Sequence, residues 1–172
     1  MAIDMTTGQG TSGHPSRQRP VYVIDKTLDW AAALVKKGSA LAAADIFEVL
    51  DVPAETMVLA AGAEIVTVCN ATAATIDVDF AGGDDYVDGF DAVSAVGYCD
   101  AGTNGWVGLQ MDNGAQASTL TNTAALRITT ADTIDVTLKS LTGTASTGKV
   151  RVYAVLLDIS GVNEKTTLAT SS

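Results

Sequence analysis

The residues of this chain that could do chemistry are few and scattered. The single histidine, His14, stands before Pro15 in a stretch rich in Gly, Ser, Thr and Gln. A Ser-His-Asp or Cys-His machine needs its imidazole held rigidly beside a nucleophile, and such a stretch offers no rigid support. The two cysteines, Cys69 and Cys99, do not make a disulfide framework. Each falls near an expected strand end, so a bridge is geometrically open, but two buried thiols suit a protein assembled in a reducing compartment. The chain has no GxSxG, P-loop, HExxH or CxxC motif. With one His and two Cys it does not supply a convincing zinc set.

The carboxylates are more plentiful. Asp77 to Asp91 reads DVDFAGGDDYVDGFD, and oxygen-rich loops with Gly can hold calcium. The ligands there would be Asp84, Asp85 and Asp88. The spacing fits neither an EF-hand loop nor the nonapeptide repeat of calcium-binding β-rolls. The plainer expectation is a strand with a solvated face followed by an Asp/Gly loop, with no metal. A glycosidase would need two carboxyl groups across a cleft, one with a raised pKa. Glu48, Glu55 and Glu64 are available, but nothing marks a pair. Aromatic platforms for sugars are scarce as well: Trp30, Trp106, four Tyr and three Phe. The expectation is a protein that is not an enzyme and carries no cofactor.

The elements that would position these residues are mostly strands. Val21–Ile24 is a short β-prone run. Thr27 to Lys37 carries helix signals: Thr27 as a possible N-cap, Asp29 in a first turn, Lys36 and Lys37 in a last turn, and Gly38 as a stop. It reads as a short helix or an irregular segment. From Asp45 the period becomes two. Ile46–Leu50 runs to a break at Pro53, Met57–Leu59 follows, and after Gly62 comes Ala63–Val68. Thr75–Phe80 alternates, with Ile76, Val78 and Phe80 expected inside and Asp77 and Asp79 in water. Ala92–Cys99, Gly105–Met111 and Leu126–Thr129 are further candidate strands, and Asp112-Asn113-Gly114 is a turn signal. Thr133–Lys139 puts Ile134, Val136 and Leu138 on one face. Lys149–Ile159 puts Val150, Val152, Ala154 and Leu156 on one face and Arg151, Tyr153, Val155 and Leu157 on the other. Both faces turn apolar towards its end, as in a strand buried on both sides or covered by another subunit.

About eight short strands with Gly, Asn and Asp between them predict an all-β fold, a β-sandwich or jelly roll. The expected organisation is an extended or flexible N-terminal arm over 1–20, a β-sandwich domain over 21–160 and a polar tail over 161–172. The arm has almost nothing to bury, so it cannot offset its ordering entropy alone. It carries Arg17 and Arg19, and it could become ordered on a neighbouring subunit.

A chain of 172 residues suits one domain. Hydrophobic residues make up 47% but aromatics only 5%, so the core is built from many small aliphatic contacts. Charged residues are 17%, below the usual quarter, which leaves Thr, Ser, Asn and Gly to cover the surface. The net charge of −10 argues against nucleic acid, whose phosphates need a basic field. No apolar run reaches the roughly 18 residues of a membrane span. The first residues show neither the basic start nor the apolar core of a signal peptide.

Two stretches carry a likeness. Gly38 to Val68 contains a strand ending in a V-P-A-x-T break and then a strand of the pattern V-L-x-x-G-x-E-[IV]. Ala74 to Ala92 contains a strand ending in a Gly/Asp loop with V-D-G-x-D. With ADTIDV at 131–136 and the closing VRVYAVLLDIS, this order resembles small virion structural proteins of tailed bacteriophages, among them capsid decoration (cement) proteins. The resemblance covers most of residues 38–160 and has no catalytic signature. It implies a non-enzymatic protein on the outer capsid surface, assembled in the host cytoplasm. Its partners would be the major capsid protein and further copies of itself, as a homotrimer or homodimer. On that reading Arg17 and Arg19 contact the capsid, and Tyr153, Val155 and Leu157 serve self-association. A head-fibre or tail module that binds host-surface glycans through the loops 100–105 and 113–123 is the alternative. A bacterial β-sandwich binding module would call for export.

Overall fold

The computed structural model describes residues 3–4, 10–12, 21–80, 86–99 and 126–160. Among them lie β1 (Ile3–Asp4), β2 (Gly10–Ser12), β3 (Val21–Asp29), α1 (Trp30–Lys37), β4 (Ile46–Val52), β5 (Thr56–Thr67), β6 (Ala73–Asp79), β7 (Val87–Asp91), β8 (Gly97–Tyr98), β9 (Leu126–Ile128), β10 (Asp132–Thr142) and β11 (Lys149–Asp158). Two sheets result, in the orders β1-β4-β10-β6-β7 and β2-β3-β11-β5-β8, with β9 also pairing β5. The pairings nest along the chain: β6 with β7, β5 with β8, β4 with β10 and β3 with β11, all antiparallel. Among the described strands only the short β1 joins its neighbour, β4, in parallel. The all-β sandwich expected from the period-two pattern is the fold observed.

Alternation explains the layering. Phe47, Ile76, Val78, Ile134, Val136 and Leu138 from the first sheet are fully buried. They meet Ile24, Leu28, Ile65, Val150, Val152, Ala154 and Leu156 from the second. Each buried Val, Leu or Ile is worth about 1.5–3 kcal/mol relative to exposure. Trp30 and Phe47 supply the large anchors, edge to face with ring centroids 5.5 Å apart.

The helix at Trp30–Lys37 is real, but its cap lies two residues later than the sequence suggests. Thr27 belongs to β3, and Asp29 is the N-cap, its Oδ1 accepting from the Ala31 N–H at 2.9 Å. Gly38 ends the helix in the left-handed region at φ 72°, where its N–H returns to the Leu34 carbonyl.

Gly62 does not break a strand. β5 runs through it, because Tyr153 of β11 lies over that position. A Cβ there would sit 2.6 Å from Tyr153 Oη. The segment 87–91, which reads as part of an Asp/Gly loop, is instead strand β7, with Val87 and Phe90 turned into the core. Of Ala92–Cys99 only Gly97–Tyr98 is strand. Gly105–Met111 and Asp112-Asn113-Gly114 lie outside the described residues.

Asp77 and Asp79 are the clearest departure from expectation. Both are buried, at 6% and 0% exposure. The Gly89 N–H donates to Asp77 Oδ1 at 2.6 Å, and Lys139 Nζ approaches the same oxygen at 3.5 Å. Alternation separates the two faces of a strand, but it does not say that the polar one meets water.

One end of the sandwich is tied together by its turns. Asn70 Oδ1 accepts from the Ser146 and Thr147 N–H groups at 2.9 and 3.0 Å, and Asn70 Nδ2 donates to Ser146 Oγ at 2.9 Å. The Trp30 N–H donates to the Gly148 carbonyl at 3.1 Å. This joins the β5–β6 turn, the β10–β11 turn and the start of α1.

Candidate interaction face

The residues considered for chemistry do not converge. Cys69 and Cys99 are free and buried. Glu48 stands on β4 opposite Asp135, Glu55 lies in the β4–β5 turn, and Glu64 is on β5 in the other sheet. Asp88 is on β7, ion-paired with Lys139. Burial raises the Asp77 pKa, against the lowering effect of the Gly89 bond and Lys139. Asp84, Asp85, His14, Arg17, Arg19 and Trp106 lie outside the described residues. Among the described residues, no group of His, Cys, Asp or Glu is arranged to hold a metal, and no helix is long and apolar enough to cross a membrane.

The residues that do come together are on the outer face of the second sheet. β11 is its central strand, and register places its outward residues beside those of β3 and β5. Leu157 pairs with Val21 and Met57, and Val155 with Val23 and Ala60. Val21 and Val23 are 54% and 42% exposed. This is an apolar area on a face that does not contact the core.

Further along β11 the face becomes polar and aromatic. Arg151 Nε donates to Asp25 Oδ2 and Nη1 to Glu64 Oε2, both at 3.2 Å, so one guanidinium bridges three adjacent strands. Burial pulls the Arg151 pKa down, but Asp25 and Glu64 hold it above its ordinary value. Tyr153 pairs with Gly62 across the ladder and rests over it. Burial pushes the Tyr153 phenol up. Its ring meets Tyr98 of β8 edge to face, centroids 6.3 Å apart. Tyr98 is 52% exposed and stands opposite Glu64.

The fold is shared with chains of phage capsids. A chain from the capsid of Ralstonia phage GP4 matches with a TM-score of 0.56 and 11% identity, covering 92% of this chain and 98% of that one. A chain from the cyanophage Pam1 capsid asymmetric unit matches with a TM-score of 0.53 and 18% identity, covering 86% and 91%. No protein-family model and no curated protein matches the sequence. At these identities the likeness is one of fold. It agrees with the likeness read from the turn residues and strand faces of residues 38–160.

Sequence reasoning grouped Tyr153, Val155 and Leu157, and the structure places all three on this face. Strand alternation already set Arg151 on that face of β11 beside them; Asp25, Glu64 and Tyr98 were missed as members of the same surface. These three arrive by long-range register, which no local pattern carries.

Proposed function

We propose that this chain is a non-enzymatic structural component of a tailed-phage particle, a decoration protein that binds the shell of major capsid protein from outside. The observation that carries the reading is the fold match to two phage capsid chains along most of the length. The strand order supports it. Taking β3, β11, β5 and β8 as one sheet and β4, β10, β6 and β7 as the other gives the nested wrapping of a jelly roll, an architecture that viral capsid domains use. A cement role asks for rigid β modules and binding surface rather than an active site. Binding that selects the assembled shell stabilises it by mass action.

On this reading the apolar area of β11 serves self-association, through Val155 and Leu157 with Tyr153 at its border, into a trimer or dimer. The N-terminal arm, with Arg17 and Arg19, contacts the capsid. Co-sedimentation with shells of major capsid protein alone tests the first part. Stoichiometric binding that raises the shell's melting temperature is the expected result, and loss of binding on removing residues 1–20 or in Arg17→Ala/Arg19→Ala places the contact in the arm. No binding at all sinks the decoration role in favour of a head-fibre or tail component. Sedimentation velocity tests the second part: Leu157→Asp should shift the oligomer to monomer.

A further inference from the structure

The polar and aromatic end of the outer face goes beyond that role. We propose that Tyr98, Tyr153, Glu64, Arg151 and Asp25 form a binding site for a neutral pyranose sugar.

Three properties of a sugar have to be met at once. Its C–H faces need a flat apolar surface. Its hydroxyls need acceptors, and its ring and hydroxyl oxygens need donors. Tyr98 supplies the surface: it is half-exposed, and the Tyr153 ring braces it edge-on. The brace depends on Gly62, since any Cβ there would collide with the Tyr153 ring. The row next to it supplies the polar groups. Arg151, Glu64 and Tyr98 stand in successive register positions across β11, β5 and β8.

The polar groups are held in place yet retain hydrogen-bonding capacity. Arg151 uses Asp25 Oδ2 and Glu64 Oε2, so among the described residues the second oxygen of each carboxylate is left to accept from a ligand hydroxyl. The guanidinium has five N–H donors, and these two bonds do not exhaust them. Because the pairing already fixes the side chains, little rotamer entropy remains to be lost on binding.

The charge selects the kind of sugar. One cation against two carboxylates leaves the patch net negative, which disfavours uronic or sialic acids and phosphates. A neutral hexose or N-acetylhexosamine meets no such penalty. An open face on a sheet encloses a ligand on one side only, so binding of a single ring should be weak, with Kd about 1 mM to tens of mM.

The full-length protein, isotopically labelled on its tyrosine rings, can be titrated by NMR with glucose, galactose, mannose, N-acetylglucosamine and glucuronate in turn. Each is taken to about 100 mM, far above a millimolar Kd. The expected result is saturable movement of the Tyr98 and Tyr153 signals with at least one neutral sugar and none with glucuronate. Tyr98→Ala should weaken binding about tenfold or more, while Tyr98→Phe, which keeps the ring, should retain it. Tyr98 is exposed, so an unchanged melting temperature for both variants checks that the fold is intact. Silence with every neutral sugar, equal binding of glucuronate, or binding that survives Tyr98→Ala overturns the proposal. None of these outcomes depends on whether the chain decorates a capsid.

Discussion

Two glycines show how a single atom sets the packing. At Gly62 an added methyl meets the far end of the Tyr153 ring, which can tip outward. Gly62→Ala should therefore cost about 1–3 kcal/mol, the usual range for overpacking, and should break the Tyr98–Tyr153 contact. At Gly148 the added Cβ would sit 2.9 Å from the Cys69 backbone and 2.6 Å from Trp30 Cδ1, at φ +129°. Neither neighbour can move freely, so Gly148→Ala should cost about 3 kcal/mol or more. Urea midpoints of the two variants check the ranking. Two aspartates respond to acid with opposite signs. Asp77 has its pKa raised above 3.8, mainly by burial. Folding favours its protonated form, so that contribution is present below 3.8 and is lost as pH rises through its folded value. Asp91 has its pKa lowered by Ser94 and the Val93 N–H. Its contribution is present above 3.8 and is lost as pH falls through its folded value. In urea unfolding followed against pH, Asp77→Asn should abolish a gain in stability on acidification, and Asp91→Asn should abolish a loss. Identical pH profiles for the two variants would contradict both assignments.

Helix α1 shows what an element owes to its ends. At eight residues it is too short to stand alone in water, and Trp30 and Ala33 bury its inner face. Its start depends on Asp29, which also lies 3.4 Å from Lys149 Nζ. Asp29→Ala should cost about 1 kcal/mol, mostly the cap, since the half-exposed ion pair adds little. A thermal melt compared with that of Lys149→Ala, which removes the ion pair but keeps the cap, separates the two. This element was legible in the sequence because its signals are local: an acidic residue before an apolar run, two lysines, then Gly38. β10 and β11 were legible for the same reason, their alternation being long and clean. β7 was not, because five residues containing two Asp and a Gly look like a loop unless Val87 and Phe90 are known to face a core. The break placed at Gly62 failed because the reason for that glycine lies on another strand. The interaction face was half legible. Its β11 residues follow from alternation, whereas Asp25, Glu64 and Tyr98 are supplied by pairing across the chain.

At the level of the whole molecule, the order of strands determines when the fold can close. β10 and β11 are the central strands of the two sheets, paired on both sides, yet they come last among the described strands. Leu157 lies opposite Val21, near the other end of the described domain. Without β11 the second sheet falls into separate pieces, β2 with β3 and β5 with β8 and β9. Loss of its core residues Val150, Val152, Ala154 and Leu156, all fully buried, would leave the first sheet's apolar face open to water. A chain ending at residue 148 should therefore fail to fold cooperatively, with no sharp urea transition. The nested long-range pairing also predicts slow folding of the intact chain, in about milliseconds to seconds or longer, as for other sandwiches dominated by non-local contacts. Protection should follow the same topology. In native-state hydrogen exchange, amides of β10 and β11 should open only by global unfolding, while those of the two-residue strands β1 and β8 exchange by local fraying. If amides of β8 proved as protected as those of β11, strand order would not be what holds this molecule together.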